Sequence, residues 1–240
     1  MGENRAGENR TGKIRTPGAL IGRGRAADVY EYGEGRVLRR YRSERDHAAE
    51  VELMAYLRER GYPVPEVFAV EGRDMVMERV VGPTMLRELG RRPWRVRRYA
   101  KMLADLHRRL HAFAPPPELR DGFGPRETVL HLDLHPDNVL LTPFGPVVID
   151  WSNAAAGAAG ADVAKTVLIM ALSETEVSAL LRPLLSAMRK AFLRTFVAAA
   201  QADPAPYLPV VGRARVGDPH LTPVEAKRLD AFLEGGAVDF

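Results

Sequence analysis

Residues 131–138 read His-Leu-Asp-Leu-His-Pro-Asp-Asn, and these residue types permit two kinds of chemistry. His131, Asp133 and His135 alternate, so on an extended strand they share one face. Imidazole and carboxylate at that spacing can bind zinc or a similar ion, which is the metallohydrolase reading. A closed site of that kind needs further ligands. Of the other histidines, His47, His107, His111 and His220, none forms a ligand pair at a suitable spacing, and LHRRLH at 106–111 reads as packing with polar tips. The second chemistry is phosphoryl transfer. Asp133 precedes Asn138 by five positions, the separation found in phosphotransfer loops. The apolar run Val147-Val148-Ile149 then ends in Asp150 and Trp151. One carboxylate would orient an attacking hydroxyl or take its proton, while an amide and a second carboxylate would supply hard oxygen ligands to Mg²⁺ on nucleotide phosphates. Each histidine taken singly is also explained as a hydrogen-bonded core or turn residue, but that leaves the acids and the asparagine unexplained as a set.

The surrounding elements must position these groups. ALIGRGRAADVYEY, the turn GEG and RVLRRY predict short strands joined by a hairpin. SERDHAAEVELMAYLRERG predicts a helix with Ser43 and Asp46 at its start, Val51, Met54 and Leu57 on one stripe and Gly61 at its end. PVPEVFAVEG and DMVMERVVG predict two more strands. Beyond Gly82, WRVRRYAKMLADLHRRLHAF is an amphipathic helix through Val96, Tyr99, Leu103, Leu106 and Leu110. VLHLDL and GPVVIDW read as strands separated by a turn at 142–145. DVAKTVLIMAL and ETEVSALLRPLLSAMRKAFLRTFVAAAQ read as helices, the second broken at Pro183. A last helix starts at Thr222-Pro223-Val224-Glu225, with cap, first-turn proline and capping-box glutamate. The expectation is an α+β chain. Residues 1–13 (GENRAGENRTG repeats without a hydrophobic period) form a disordered tail. Residues 14–80 form a small antiparallel sheet with one helix, and 81–240 a mainly helical lobe, with a cleft between the two.

Composition narrows the function. The chain has 240 residues, 46% hydrophobic and 28% charged, and no cysteine, so thiolate chemistry and cysteine-bound zinc are excluded. Residues 1–25 hold six basic and two acidic side chains, which accounts for the whole net charge of +4. A basic tail on a balanced body argues against nucleic acid as the main partner. No apolar run approaches the roughly 20 residues of a membrane span, and the polar N-terminus has no signal-peptide core. A cytoplasmic setting, no membrane association and no obligate protein partner are the corresponding expectations.

HLDLHPDN followed by VVIDW resembles the signature of the aminoglycoside phosphotransferase and choline kinase family, within the protein-kinase-like superfamily. The resemblance spans roughly residues 18–172. It implies a two-lobed protein-kinase-like fold, and further stretches fit that family's order. Gly22-Arg-Gly24-Arg-Ala-Ala27-Asp-Val29 is similar to the glycine-rich loop over the phosphates, with Ala27 at the third glycine. Val37-Leu38-Arg39 stands where a strand normally offers lysine to the α- and β-phosphates; arginine keeps the charge in a planar fork. Arg40 alternates to the other face of the strand. Glu50 would pair with Arg39, with Glu52 as the competing choice. Met77, Glu78 and Val80 fall at the hinge, where backbone groups hold adenine. Asp162 fits either the aspartate that braces the catalytic loop or the N-cap of the helix that follows.

The resemblance implies ATP and Mg²⁺ as cofactors. Asp133 would be the catalytic base, supported by His131 and His135, and Asn138 and Asp150 the metal ligands. Twelve positions separate Asp150 from Asp162, too few for the peptide-holding segment of a protein kinase, and no Ala-Pro-Glu follows. The expected acceptor is therefore a hydroxyl of a small molecule. Residues 151–240 hold equal numbers of acidic and basic side chains, which gives no support to a polycationic aminoglycoside in particular. The alternative from a different class is a catalytically inactive nucleotide-binding scaffold, motivated by Arg39 and by Ala-Gly-Ala before Asp162.

Overall fold

The computed structural model describes residues 14–24, 26–43, 47–173, 181–218 and 221–236. The tail at 1–13, Asp46, His220 and the first residues of the long helix expected from Glu174 lie outside these. The chain divides into two compact units, one up to Val81 and one from Gly82. Among the described residues no helix is long and apolar enough to cross a membrane.

The first unit is a five-stranded antiparallel sheet with one helix. Strands β1 (Leu20–Arg23), β2 (Ala27–Glu31), β3 (Arg36–Tyr41), β4 (Val67–Glu71) and β5 (Asp74–Glu78) lie in the order β1-β2-β3-β5-β4. The β2–β3 hairpin turns through Gly33 and Gly35, at φ 73° and 68°, a region that glycine enters without a Cβ clash. Register places Gly22 opposite Val29, Val29 opposite Arg39, and Arg39 opposite Met75. Directly paired residues of an antiparallel sheet share a face, so this row runs across four strands on one side. Helix α1 (Ala48–Glu59) buries Leu53, Met54 and Leu57. Its N-cap is His47, without a side-chain cap bond, four positions beyond the Ser43 expected to cap it.

The second unit holds six helices among the described residues: α2 (Met85–Arg91), α3 (Val96–Leu110), α4 (Ala159–Leu172), α5 (Arg182–Ala200), α6 (Leu208–Arg213) and α7 (Pro223–Leu233). Two β pairs sit among them, β6 (Thr128–Leu130) with β9 (Ala155–Gly157) and β7 (Val139–Thr142) with β8 (Gly145–Val148). Helix α3 turns Tyr99, Leu103, Leu106 and Leu110 inward against α5, which buries Phe192 and Phe196. Each such large apolar side chain contributes about 1.5–3 kcal/mol on burial. Gly82 lets the segment leading to Thr84 run close to β7: a Cβ there would collide with the Leu141 carbonyl, and Leu141 N–H donates to the Pro83 carbonyl at 2.9 Å. Helix α7 opens with the expected capping box, Thr222 and Glu225 bonding each other's backbone N–H at 3.2 and 3.1 Å.

The local structure departs from the sequence-based expectation at two places. The strand expected over VLHLDL ends at Leu130, because Leu132 turns left-handed at φ 59° and takes the next residues out of the ladder. Pro183 sits in the first turn of α5, where its missing N–H needs no partner; the part of the expected helix at 174–180 lies outside the described residues. The short helices α2 and α6 are absent from the sequence reading. At seven and six residues they carry too few turns for a periodic signal. The Thr84 hydroxyl, which accepts from Arg87 N–H at 3.2 Å, was the cap that marked α2.

Candidate active site

Three groups of the first unit gather around one carboxylate, that of Glu50. Arg39 Nη1 lies 3.7 Å from Glu50 Oε1, with side chains only 11% and 8% exposed. The Tyr41 hydroxyl lies 3.0 Å from both Glu50 oxygens, the Arg39 guanidinium sits 4.7 Å from the Tyr41 ring centre, and His47 stacks on that ring at 3.9 Å. Strand alternation explains the set: Arg39 and Tyr41 are two apart on β3, so both face α1 where Glu50 lies in its first turn. Arg40 faces the other way and makes a two-point pair with Asp74 at 2.7 and 2.6 Å. Upstream, Gly24 N–H donates to the Ala27 carbonyl at 2.8 Å in a turn so tight that a Cβ at 24 would meet that same oxygen. Met77 is buried on β5. Glu78 closes that strand, its carboxylate 3.3 Å from Arg58, and Val80 follows it.

The loop that contained the opening motif is built in the second unit. The His131 Nδ1 accepts the Asp133 N–H at 3.2 Å, so its proton is on Nε2, which donates to the Ile149 carbonyl at 3.1 Å. His131 is fully buried and packs on Trp151 at 4.5 Å. It ties the residue before Asp150 to the residue that carries the Asp133 carboxylate. With both nitrogens so used, His131 has none to offer a metal. Among the described residues no cluster of three or more histidines and acids could hold one.

Asn138 turns its amide nitrogen toward Asp133, 2.9 Å from the carbonyl and 3.1 Å from Oδ2. Both partners are acceptors, so the amide orientation is determined and Oδ1 is turned away from Asp133. The Asn138 carbonyl accepts the Ile149 N–H at 3.0 Å, which fastens the loop to the end of β8. Asp150 follows at φ 67°, a left-handed turn outside glycine's usual monopoly, and accepts from Ser152 Oγ at 3.0 Å. The structure therefore brings His131, Asp133, His135, Asn138 and the Asp150 turn into one bonded assembly. His135 lies 3.6 Å from Asp133 Oδ1 and takes the Asp137 N–H on Nδ1 at 3.3 Å. Burial holds its pKa below the ordinary histidine range, against the pull of Asp133 and Asp137, so it is neutral near pH 7.

Asp162 is the brace. It lies in the first turn of α4, whose N-cap is Ala158, so the N-cap alternative is corrected. Fully buried, it accepts His131 N–H at 3.1 Å and Leu132 N–H at 2.7 Å, and His111 Nε2 approaches to 3.0 Å. Burial opposes its charge, but the His111 hydrogen bond and the neighbouring histidines outweigh that and hold its carboxyl well below the usual carboxylate range. Sequence reasoning missed the partners around it. His111, one turn beyond His107, holds Asp162. The Thr166 hydroxyl, one turn beyond Asp162, reaches the Leu134 carbonyl at 2.8 Å. His107 contacts Thr166 Oγ1 at 3.1 Å and the Leu103 carbonyl at 2.9 Å, and burial drives its pKa down to about 4. The i, i+4 spacings on α3 and α4 were the available signal.

Comparison with known proteins agrees with this arrangement. The profile of the phosphotransferase enzyme family (APH) matches residues 18–127 and 114–198. Solved structures share the fold at low identity. A choline kinase from Cryptosporidium parvum Iowa II is 14% identical, with 90% of this chain and 87% of that one covered and a TM-score of 0.55. The gentamicin complex of APH(2'')-IIa is 13% identical, covering 92% and 91%, at 0.57. The ADP-bound aminoglycoside phosphotransferase APH(2'')-Ib is 13% identical, covering 93% of each chain, at 0.57. A search of curated sequences finds no match. The fold is thus protein-kinase-like, a strand-rich first unit followed by a helical second one, and the chain belongs to the phosphotransferase enzyme family.

Proposed function

We propose that this protein is an ATP-dependent small-molecule kinase that moves the γ-phosphoryl group of Mg-ATP to a hydroxyl. The observation that carries this reading is the orientation of Asn138. Its amide nitrogen is committed to Asp133, which presents its Oδ1, a hard oxygen, beside the loop that bears Asp150. Two such oxygens fit a magnesium ion that keeps several waters and phosphate oxygens as its other ligands. When bound, Mg²⁺ would neutralise charge on the transferring phosphates.

The remaining work falls to the chain. Gly22, Gly24 and Val29 lie over the phosphates, Arg39 contacts them while Glu50 holds its guanidinium, and backbone groups around Met77, Glu78 and Val80 hold adenine. Asp133 orients the acceptor hydroxyl and accepts its proton. The acceptor oxygen bonds to the γ-phosphorus, the bond to the β-phosphate oxygen breaks, and ADP leaves with that electron pair. His131 is a positioning residue that fixes the loop from behind. His135, neutral and beside Asp133, limits the rotamers of its carboxylate. Arg39 in place of lysine is the observation that favours a binding-only scaffold. Formation of the Arg39–Glu50 pair argues for the active reading, because the cation is held where a lysine would be.

The test is a thermal melt with increasing ATP, with and without magnesium, in wild type and Asp150→Asn. A ligand that binds only the folded chain raises stability by about 2.7 kcal/mol at one hundred times its Kd. A magnesium-dependent shift, lost in Asp150→Asn, is expected. No shift at millimolar ATP would refute the reading, and binding without turnover on any hydroxylated acceptor would favour the scaffold.

A further inference from the structure

Beyond the basic tail the chain carries no net charge, but its charges are unevenly placed. Residues 89–104 hold Arg91, Arg92, Arg95, Arg97, Arg98 and Lys101 and no acid. Helix α5 holds Arg182, Arg189, Lys190 and Arg194 and no acid. Part of this charge is met locally. Glu88 lies 3.6 and 3.2 Å from Arg91 and Arg92, Asp105 pairs with Arg108, and Arg189 donates to the Ala171 and Ser173 carbonyls at 3.1 Å. Glu174 and Glu176, which precede α5, lie outside the described residues. Arg97, Arg98 and Lys101 on α3 and Arg182 and Arg194 on α5 stand exposed.

Helices α3 and α5 pack along each other, and a cavity of about 330 Å³ opens between them. Arg97 lines it from α3, and Ala187, Lys190, Ala191, Arg194 and Thr195 line it from α5. The Thr195 hydroxyl donates to the Ala191 carbonyl at 2.7 Å. The other side-chain donors of the lining therefore belong to three cations, and no acid is among its residues. Apolar side chains border this cavity. A 3-10 turn (Pro93–Arg95) leads directly into α3, so Trp94 lies one turn before Arg97, and Leu184 lies one turn before Ala187. Trp94 is 75% exposed and Leu184 58%, and Leu181, the N-cap of α5, is exposed as well. The two helices run in the same sense: His107 in the last turn of α3 meets the Phe196 ring at 5.0 Å, while Arg97 in the first turn meets earlier residues of α5. Trp94, Leu181 and Leu184 thus lie toward one end of the pair.

We propose that this end of the α3–α5 pair docks on an anionic membrane surface, with Trp94 and Leu184 entering the interface and Arg97, Lys190 and Arg194 holding a lipid phosphate group in the cavity between them. Tryptophan settles at the level of lipid headgroups. Clustered lysine and arginine are drawn to an anionic leaflet, and basic pockets between helices suit phosphate headgroups. The leucines decide against nucleic acid as the partner. Bases stack on aromatic rings or guanidinium planes, whereas an aliphatic side chain gains from the acyl boundary of a bilayer. Surface docking needs no spanning helix, so the lack of a long apolar run does not oppose it. The proposal is independent of the kinase reading.

The test is co-sedimentation of the full chain with vesicles of phosphatidylcholine alone and of phosphatidylcholine mixed with phosphatidylglycerol, at low and high salt, followed also by tryptophan emission. The chain has two tryptophans, and Trp151 is buried, so Trp94 reports the interface. Binding to the mixed vesicles alone is expected, with a blue shift of emission and release by high salt, because exposed charges are screened. Arg97→Gln combined with Arg194→Gln should weaken vesicle partition about 10- to 30-fold. Trp94→Ala should also weaken it and leave its salt dependence in place. Both variants should melt near the wild-type temperature, since these side chains are exposed. No binding to the mixed vesicles at low salt, or equal binding to phosphatidylcholine alone, would overturn the proposal. Undiminished binding in both variants would overturn it too and assign the attraction to the basic tail. Binding of single-stranded RNA that is lost in the same variants, with no vesicle binding, would make this face a nucleic-acid surface instead.

Discussion

Asp162 holds Leu132 in a left-handed conformation. The Leu132 N–H donates to Asp162 Oδ1 at 2.7 Å while its φ is 59°, and His131 N–H donates to Oδ2 at 3.1 Å. A branched side chain at positive φ costs about 1–3 kcal/mol, which these charge-assisted bonds offset. The left-handed residue turns the chain off β6, so that Asp133 emerges beside Asn138 instead of continuing the ladder. Asp162→Ala would strand two buried N–H donors, and a loss of about 3–5 kcal/mol is expected, measured by urea unfolding. Asp162→Asn, which keeps one acceptor oxygen, should cost less. A loss under about 1 kcal/mol in the alanine variant would mean that other contacts hold the loop.

Stability should fall with pH in two stages. His107 is buried with a pKa near 4 against an ordinary 6.5. Above pH 6.5 it is neutral folded or unfolded and contributes nothing. Between 6.5 and 4 the unfolded chain takes up a proton that the folded chain refuses, so stability drops, by about 3 kcal/mol in total. Asp162 acts lower. Its depressed pKa gives stability that is full above the unfolded carboxylate value near 3.9 and is lost as pH falls beneath it. His107→Gln should flatten the urea-midpoint profile between pH 6.5 and 4 and leave the steeper fall below 4 in place. A profile identical to wild type would show that His107 does not titrate in this way.

Asp133→Asn should lower kcat by about 10²- to 10⁴-fold, the usual worth of a general base, while the magnesium-dependent ATP shift is retained. Steady-state kinetics with any accepted hydroxyl compound measures this. Full turnover in the variant would remove Asp133 from the chemistry.

The Arg39–Glu50 pair predicts an asymmetry between substitutions. Arg39→Lys keeps a cation near Glu50, whose carboxylate also holds the Tyr41 hydroxyl, and should leave the KM for ATP within several-fold. Arg39→Met removes the cation and leaves Glu50 only 8% exposed without it. The KM for ATP should rise by about tenfold or more, with a loss of about 1–3 kcal/mol in stability. Equal ATP affinity in Arg39→Met and wild type would exclude Arg39 from nucleotide binding.

Much of this architecture was legible in the chain because its causes are local. Alternation in RVLRRY separates Arg39 from Arg40, and the structure pairs them with Glu50 and Asp74 respectively. The spacing of Asp133 and Asn138 makes their hydrogen bond possible, since a single short turn over 136–138 brings them back together. The Thr222–Glu225 box marked a helix start to the residue. What only the tertiary structure decided depends on groups far apart in sequence. The end of β6 at Leu130 follows from the left-handed turn at Leu132, held by a carboxylate 30 positions beyond Leu132, which no local pattern encodes. The acceptor of the His131 Nε2 proton, the Ile149 carbonyl, lies 18 positions away. Periodicity reports which face a side chain takes on its own element. The charges and backbone groups that meet that face are set when the elements pack, and here that packing determines the site.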